Sequence, residues 1–344
     1  MLEKPDIPDA EIIACLQEAY DLDVGQIVFL PLGADRHTAV YRAVADDRIL
    51  YYVKLPGGTF DEASVVLPRF LSDQGIEPII PPLVTKTGQL WVDLAPFAVI
   101  LYPFVEGRNG YDVVLSERQW AEFGAALRRI HALAVPSSLL EHVRRETYPA
   151  RWREAVRAFL VQVENDTFDD PVAAELAAFL RAKRDEILDL VTRAERLAGD
   201  LLARPRPFVL CHSDVHAGNV LIDEGGRLYI VDWDDPIMAP KERDLMYPGG
   251  AQGFAGRTPQ EEEVLFYRGY GETEVDPFAL AYYRCERIVE DIAIYCQDLL
   301  LTDEGGWDRA QSLVYLKSNF LPDGTIEAAH RSDRAAGEPS SSSS

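Results

Sequence analysis

The sequence lacks several features that mark common functional classes. Its 344 residues include 34 basic against 57 acidic ones, and this net charge of −23 argues against binding to nucleic-acid phosphates. No apolar run reaches the roughly 20 residues that cross a bilayer, and the first residues do not resemble a signal peptide. We therefore expect a cytoplasmic protein with neither a nucleic-acid nor a membrane partner. The sequence leaves the oligomeric state open, with a monomer as the simplest assumption.

Cysteine and lysine are both scarce. The four cysteines form no CxxC pair and show no metal-binding spacing, so we expect free thiols in a reducing compartment. The six lysines include Lys54, which stands inside the apolar segment 51–55 and is therefore a candidate functional residue. No GxxxxGK[ST] motif occurs, which argues against a Walker-type nucleotide-binding enzyme.

The pattern of apolar residues divides the chain into two parts. The first part predicts a helix at 9–20, with Asp9 as its N-cap, and a second helix at 60–74. Its predicted strands lie at 27–32, 38–45, 48–55, 89–93 and 98–102. This order is typical of a small β-rich lobe, which we assign to residues 1–103.

Helical patterns dominate after Pro103. A capping box that begins at Ser116 opens a predicted helix that ends near Leu133. Further helices are predicted at 148–164, 172–203, 259–269, 277–301 and 307–319, and a β segment at 208–231. We therefore expect a larger helical lobe over residues 104–330. A low-complexity tail, predicted over 331–344, ends in five serines.

The densest group of polar residues is the loop HSDVHAGN at residues 212–219, which includes Asp214 and Asn219. Asp232 follows thirteen residues after Asn219, at the end of the apolar segment YIV. Because Asn219 and Asp232 stand at the ends of two short strands, their oxygens can face one hard cation. Mg²⁺ prefers such oxygen ligands. Asp214 would then lie beside the metal, where a hydroxyl group can be deprotonated.

The order of these residues matches a phosphoryl-transfer site. Asp214, Asn219 and Asp232 follow the base, metal, metal order of the kinase catalytic loop and its metal-binding aspartate. Kinases also have a lysine on the third strand and a glutamate on the next helix. Lys54 and Glu62 occupy those two positions here.

The loop HSDVHAGN and the segment IVDWDDP together resemble the aminoglycoside phosphotransferase and choline kinase superfamily, which shares the protein-kinase fold. Within it, the chain most resembles the spectinomycin phosphotransferase subgroup. The similarity includes GAD at 33–35, YPF at 102–104, APKERDLM at 239–246 and ERIVEDIA at 286–293. The resemblance implies a two-lobed, protein-kinase-like α+β fold. It also implies ATP- and Mg²⁺-dependent phosphorylation of a hydroxyl group on a small molecule.

The resemblance implies a role for each matched residue. Asp214 is expected to be the catalytic base or the carboxylate that orients the acceptor hydroxyl, while Asn219 and Asp232 hold Mg²⁺. Lys54 is expected to contact the α- and β-phosphates of ATP. Glu62 is expected to position Lys54.

The resemblance also implies an adenine site in the linker between the lobes. The Pro103 carbonyl would accept a hydrogen bond from N6, and the Val105 N–H would donate to N1. The first turn departs from the protein-kinase pattern because it has one glycine, Gly33, instead of three, which weakens the case that this turn covers the phosphates. In the large lobe we expect Asp244 and Arg243 to tie the catalytic loop to the helices, with a place in the lining of the substrate cleft as the alternative for either residue.

The excess of acidic residues predicts a cationic acceptor, because a negative cleft concentrates cations. Asp234 and Asp235 directly follow the metal aspartate, so we expect at least one of them to reach the acceptor site. The acceptor predicted first is an aminocyclitol or aminoglycoside antibiotic, with spectinomycin ahead of the others. Its phosphorylation would give antibiotic resistance.

Other functions remain open from the sequence. A metabolic kinase that acts on choline, a sugar or an amino alcohol fits the same motifs, and so does a catalytically silent nucleotide- or antibiotic-binding protein. The intact base and metal ligands argue against a silent protein. A metallohydrolase would need more clustered histidines than His212 and His216, which we expect to support the loop by hydrogen bonds. A protein kinase would need more than the eleven residues between Asp232 and Asp244 for its activation segment.

Overall fold

The computed structural model of the chain describes residues 4–31, 38–58, 60–302 and 306–337. Within these ranges, no helix is both long enough and apolar enough to span a membrane. The predicted first turn around Gly33 lies outside the described residues. The arrangement of the described elements confirms the two-lobed, protein-kinase-like α+β fold.

An antiparallel sheet forms the centre of the N-terminal lobe. The elements of this lobe are α1 (Asp9–Tyr20), β1 (Val24–Leu30), β2 (Thr38–Ala45), β3 (Leu50–Pro56), α2 (Ala63–Asp73), β4 (Val92–Leu94) and β5 (Phe97–Pro103). Among the described residues the strand order is β1-β2-β3-β5-β4. Helix α1 buries Ile12 and Leu16 in the core that it shares with the sheet. The lobe therefore has an apolar core of its own.

Alternation along β3 separates this core from the cleft. Val53 and Leu55 are fully buried in the core of the lobe. Lys54 lies between them and points to the opposite face, because successive side chains of a strand alternate between faces. The Lys54 ammonium group pairs there with Asp234 of the C-terminal lobe. A central strand thus presents its lysine to the space between the lobes.

Three boundaries in the N-terminal lobe differ from the prediction. Strand β1 begins at Val24 rather than at 27, and β4 covers only 92–94 rather than 89–93. The predicted N-cap is also wrong, because Asp9 is the first helical residue and Pro8 precedes it with an extended ψ of 133°. The Asp9 carboxylate instead pairs with Lys4 at 2.7 Å, beside the positive end of the helix dipole.

Helices surround two small sheets in the C-terminal lobe. The helices are α3 (Glu117–Ala132), α4 (Ser137–Leu140), α5 (Arg151–Asn165), α6 (Pro171–Ala182), α7 (Arg184–Ala203), α8 (Glu242–Leu245), α9 (Pro259–Tyr270), α10 (Pro277–Leu300), α11 (Gly306–Ser318) and α12 (Thr325–Gly337). The strands are β6 (Gly107–Asn109), β7 (Arg144–Arg145), β8 (Val209–Cys211), β9 (Val220–Asp223), β10 (Leu228–Ile230) and β11 (Ile237–Ala239). In the described chain, β10-β9-β6 form one sheet and β7-β11-β8 the other. The two loops that leave β8 and β10 carry the predicted site.

Two predictions for this lobe are corrected. The helix predicted over 172–203 is interrupted at Lys183, where φ is −102° and ψ is 9°, and so forms α6 and α7. The boundary predicted at 331 lies inside α12, which runs to Gly337. The polar residues of α12 are part of the packing, since the buried Asp333 pairs with Arg193 and Arg196 of α7. The capping box at Ser116 is confirmed.

Helices α3 and α9 approach each other closely at two glycines. A Cβ atom on Gly124 would lie 2.1 Å from the carbonyl oxygen of Phe266, and one on Gly269 would lie 1.7 Å from that of Ala121. Real Cβ atoms do not approach backbone so closely, so each position requires glycine. The crossing fixes the first half of α3 against the C-terminal end of α9. Both helices also carry residues that support the site.

We expect Gly269→Ala to lower the free energy of unfolding by about 1–3 kcal/mol, the usual cost of overpacking a tight interface. Helices α3 and α9 must separate to admit the methyl group. The gain in helix propensity, about 1 kcal/mol, is too small to compensate. Urea denaturation followed by circular dichroism measures the change.

Gly199→Ala on α7 is the matched control, because a Cβ atom there has no neighbour within 4 Å. This variant should be more stable than the wild type by about 0.5–1 kcal/mol, since alanine restricts the unfolded chain more than glycine does. Equal stabilisation by the two substitutions would contradict the close contact between α3 and α9.

Candidate functional site

The buried carboxylate of Asp244, in α8, holds the loop that follows β8. Its Oδ1 accepts the Ser213 N–H at 2.7 Å, and its Oδ2 accepts the His212 N–H at 2.9 Å. His131 at the end of α3 also lies 3.0 Å from Oδ2 through Nε2, and its Nδ1 is 2.8 Å from the Tyr270 hydroxyl of α9. The expectation that Asp244 ties the loop to the helices is confirmed.

Asp244 stays ionised despite its complete burial. Burial alone would raise the pKa of Asp244, but the hydrogen bond from His131 and the donors of the loop backbone outweigh it. The pKa of this carboxyl therefore lies below its usual value. A buried charge with this number of donors is a strong constraint on the loop, because loss of any donor would leave the charge partly unpaired.

Ser213 turns the loop toward the cleft in a left-handed conformation, with a φ of 74°. A non-glycine residue in this region costs about 1–3 kcal/mol, so its neighbours must impose it. Ser213 Oγ donates to the Asp235 carbonyl at 2.6 Å, and the Ser213 carbonyl accepts from the Tyr247 hydroxyl at 2.7 Å. With the N–H held by Asp244, every polar group of Ser213 is engaged.

Asp214, the next residue, carries the central carboxylate of the site. Its Oδ1 accepts from Arg287 Nη1 at 2.5 Å and lies 3.2 Å from the Tyr247 hydroxyl. Its Oδ2 is farther from its neighbours, at 3.4 Å from Asn219 Nδ2 and 3.6 Å from His216 Nε2. Burial would raise the pKa of Asp214, but the charge of Arg287 and the contact with His216 hold that pKa well below its usual range.

Asn219 and Asp232 come to the same end of the β9-β10 hairpin, as the sequence predicts. Across the hairpin, Val231 donates its N–H to the Asn219 carbonyl at 3.0 Å, and Asp232 follows directly. Asp232 has a φ of 64°, a second left-handed conformation imposed on a non-glycine residue. The Asn219 side chain donates from Nδ2 to the Asp214 carbonyl at 2.7 Å, which leaves its Oδ1 available as a ligand.

Lys54 joins the two lobes beside these residues. Its ammonium group bonds Asp234 and lies 3.9 Å from Asp232 Oδ1. Partial removal of the carboxyl from solvent and the charge of Asp234 raise the pKa of Asp232 to about 7, while Lys54 acts in the opposite direction. Two carboxylates thus share one ammonium group, an arrangement that a divalent cation would stabilise.

Glu62 is not brought to Lys54. It is the exposed N-cap residue of α2, and its side chain makes no capping hydrogen bond. Among the described residues, the ion pairs of Lys54 are with Asp232 and Asp234. The structure therefore gives no support to the expectation that Glu62 positions Lys54. An acidic residue near a helix start also suits the helix dipole, so its position in the sequence is a weak signal.

Pro103 ends β5, where the chain passes from one lobe to the other. The Phe104 N–H donates to the Leu50 carbonyl of β3 at 3.2 Å. In a trans peptide the N–H and the preceding C=O point in opposite directions, so the Pro103 carbonyl points away from β3. Val105 follows two residues after Pro103, with a partly buried side chain. This geometry leaves the linker backbone available for a ligand.

Asp234 and Asp235 have partners other than an acceptor. Asp234 bonds Lys54, whereas Asp235 Oδ1 accepts from Arg144 Nη2 at 2.8 Å on a side chain that is 71% exposed. The prediction that this pair reaches the acceptor is therefore not supported. Asp234 belongs with the lysine of the N-terminal lobe, and Asp235 supports Ser213 through its backbone carbonyl.

His212 and His216 support the loop through hydrogen bonds. His212 Nε2 is 2.9 Å from the Val231 carbonyl, and His216 Nδ1 accepts the Gly218 N–H at 2.9 Å. The group of described histidine, cysteine and acidic side chains that could hold a metal ion lies elsewhere and is buried. It consists of His131, Cys211 and Asp244. Because both oxygens of that carboxylate accept from N–H donors, the metallohydrolase alternative gains no support.

Sequence reasoning missed two residues of the site, Tyr247 and Arg287. Both contact Asp214 Oδ1, but they lie 33 and 73 residues away along the chain. The available local signal was the spacing of Arg287 and Asp291, which are four residues apart on α10 and pair at 3.0 Å. That spacing is common on solvated helices, so it did not indicate a functional residue.

Comparisons with known proteins agree with this geometry. The sequence profile of the phosphotransferase enzyme family matches residues 31–247. A crystal structure of spectinomycin phosphotransferase APH(9)-Ia, in complex with ADP and spectinomycin, is 40% identical and has a TM-score of 0.89. It covers 96% of this chain and 100% of its own. Protein StrN of Streptomyces griseus is 27% identical over 282 residues, 78% of this chain and 84% of StrN.

A more distant structure supports the fold alone. The amicoumacin kinase hAmiN, in complex with AMP-PNP, Ca²⁺ and Ami, is 17% identical and has a TM-score of 0.60. It covers 94% of this chain and 97% of its own. The family profile spans more than half of the chain and includes Asp214, Asn219 and Asp232. The resemblance to spectinomycin phosphotransferase is therefore confirmed across both lobes. The chain belongs to the phosphotransferase enzyme family and is an enzyme that transfers a phosphoryl group to a hydroxyl group.

Proposed function

We propose that this enzyme transfers the γ-phosphoryl group of ATP to a hydroxyl group of spectinomycin, with Mg²⁺ as its cofactor, and thereby confers antibiotic resistance. The observation that carries the proposal is the site around Asp214. It occurs in a chain that is 40% identical to a spectinomycin phosphotransferase solved with ADP and spectinomycin. We further propose that the reaction takes place in the cytoplasm, where ATP is available.

In this proposal the nucleotide lies between the lobes. Lys54 contacts the α- and β-phosphates, for which its position on the central strand and its ammonium group in the cleft are suited. The Pro103 carbonyl and the Val105 N–H bind the adenine ring. The direction of the Pro103 carbonyl, away from β3, supports this assignment. Glu62 has no part in it, because it does not reach Lys54.

The donor set around Asp214 fits Mg²⁺. Asn219 offers an amide oxygen and Asp232 a carboxylate, and hard cations prefer such ligands. Among the described residues, Lys54 is the ion-pair partner of both Asp232 and Asp234, so a divalent cation would relieve the repulsion between the two carboxylates. Bound there, Mg²⁺ would neutralise charge on the phosphates in the transition state.

Asp214 orients the acceptor hydroxyl in line with the γ-phosphorus. The hydroxyl oxygen bonds to that phosphorus, the bond from phosphorus to the β,γ-bridging oxygen breaks, and ADP leaves. The hydroxyl proton passes to the Asp214 carboxylate and from there to water. Because phosphoryl transfer has a loose transition state, positioning and charge stabilisation supply most of the rate.

The acceptor is the part of the proposal with an independent physical argument. Spectinomycin carries two amines and is cationic at neutral pH, and a chain with a net charge of −23 attracts cations to its clefts. A coupled assay of ADP formation, run over spectinomycin, other aminoglycosides, choline and simple sugars, tests it. Turnover should be greatest with spectinomycin. Turnover with choline or a neutral sugar but not with spectinomycin would make the enzyme a metabolic kinase instead.

Asp214→Asn should lower kcat by about 10²–10⁴, the usual contribution of a general base, because asparagine cannot accept the proton. The fold should be retained, since Arg287 can still donate to the amide oxygen. Asp73→Asn is the matched control, as Asp73 is a half-exposed carboxylate paired with Arg69 on the surface of α2. Full turnover by folded Asp214→Asn would falsify the role of this carboxylate.

Asp232→Ala should weaken ATP binding chiefly when Mg²⁺ is present, because the lost group is a metal ligand. Isothermal titration calorimetry with ATP, in Mg²⁺ or in EDTA, separates the two conditions. Asp235→Ala is the control, since its carboxylate pairs with the exposed Arg144 and should leave ATP binding unchanged. An equal loss of affinity in Mg²⁺ and in EDTA would mean that Asp232 has a structural role.

A further inference from the structure

We propose that Arg287 is the positioning residue of the reaction. From α10 it fixes Oδ1 of Asp214, so that Oδ2 is the atom that receives the acceptor hydroxyl. The inference rests on the proposed role of Asp214. It adds that Oδ2 is the oxygen that receives the acceptor hydroxyl and that Arg287 determines this choice.

The two oxygens of Asp214 have unequal surroundings. Oδ1 accepts a charge-assisted hydrogen bond from Arg287 Nη1. Oδ2 has two longer contacts, at 3.4 Å to Asn219 Nδ2 and 3.6 Å to His216 Nε2. Asn219 Nδ2 also has a better acceptor, the Asp214 carbonyl at 2.7 Å. Oδ2 therefore keeps more capacity to accept a hydroxyl group than Oδ1, which is already bonded to Arg287.

Tyr247 cannot replace Arg287 at Oδ1. A tyrosine hydroxyl has one proton to donate. The Tyr247 hydroxyl is 2.7 Å from the Ser213 carbonyl and 3.2 Å from Asp214 Oδ1, so the proton goes to the nearer carbonyl. Arg287 Nη1 also donates to the Tyr247 oxygen at 3.2 Å. The described neighbour that donates a proton to Oδ1 at short range is thus Arg287.

Arg287 is itself held in place. Its Nε donates to Asp291 Oδ1 at 3.0 Å, one helical turn further along α10. Because the guanidinium group is planar and rigid, fixing Nε at one side and Nη1 at the other determines its orientation. Its side chain is only 21% exposed, so solvent competes little for these bonds. Helix α10 therefore fixes the position of the Asp214 carboxylate through the Arg287 side chain.

The arrangement has a consequence for the reaction coordinate. An oxygen that accepts a short bond from a guanidinium group is a poor acceptor for a second donor in the same direction. Rotation of the Asp214 carboxylate by half a turn would exchange Oδ1 and Oδ2. Smaller rotations would stretch the hydrogen bond from Arg287 to Oδ1, so Arg287 opposes them. A displacement of about 1 Å of a reacting group can cost about 10² in rate. Loss of Arg287 should therefore lower kcat and leave substrate affinity nearly unchanged.

The test compares Arg287→Met and Arg287→Lys, with ATP and the acceptor that the panel identifies, spectinomycin first. We expect Arg287→Met to lower kcat roughly 10- to 100-fold, with each KM within about threefold of the wild type. Arg287→Lys keeps one charged donor and should recover part of the loss. Arg268→Met is the matched control, because Arg268 pairs with the exposed Glu117 at 2.8 Å outside the site. A kcat for Arg287→Met within twofold of the wild type would overturn the inference, and so would a loss confined to the acceptor KM.

A double-mutant cycle separates this inference from the proposed role of Asp214. If Arg287 acts through Asp214, adding Arg287→Met to Asp214→Asn should change the residual kcat by less than about threefold. A further loss as large as in the wild-type background would mean that Arg287 acts by another route. Full activity of Asp214→Asn alone would instead contradict the proposed function.

A readout without an acceptor completes the test. The same four proteins of the cycle can be unfolded in urea, and the losses in midpoint should be clearly less than additive, because the two residues contact each other. Additive losses would contradict the contact. If Arg287→Met does not fold, Arg287→Lys replaces it in both the kinetic and the urea comparison. A wild-type kcat for Arg287→Lys, together with additive losses of urea midpoint when it is combined with Asp214→Asn, would then overturn the inference.

Discussion

The buried carboxylate of Asp244 is the interaction on which the rest of the site depends. It accepts two consecutive backbone N–H groups of the loop and the imidazole of His131, so that α3, α8 and the loop meet at one negative charge. The imidazole also contacts the Tyr270 hydroxyl of α9, and the glycine crossing packs α3 directly against α9. The packed helices of the large lobe thereby fix the backbone of the loop that carries Asp214.

The side chain of Asp214 is held separately from its backbone. Arg287 of α10 contacts one oxygen, while the backbone is fixed from α8, and α10 packs against α8. On the other side of the cleft, Lys54 faces two carboxylates of the hairpin. The charges of the site thus come from both lobes and four separate segments. Each is paired with a residue of another segment, which limits repulsion between carboxylates at the site of a strongly acidic chain.

How much the sequence predicted depends on whether the signal was local. The loop at 212–219, Asp232 and Lys54 were predictable because each combines a chemical motif with an apolar strand next to it. The pairing of Lys54 with Asp234 rather than with Glu62 was not, because it is decided by the packing of two lobes. Arg287 lies far from the loop along the chain, and although the segment ERIVEDIA that contains it is part of the resemblance, nothing in that segment indicates contact with Asp214. The end of α12 was misjudged for a related reason, since Asp333 is polar in sequence but buried in an ion-pair network.

The pair between Lys54 and Asp234 also bears on how tightly a nucleotide is held. In the proposed function this lysine must give up one anionic partner to gain another, so only the difference between the two ion pairs contributes to affinity. When ADP departs, Asp234 is at hand to take the ammonium group back. In the proposed function, an exchange of partners of this kind would favour product release, because the ammonium group would regain an anionic partner as ADP leaves.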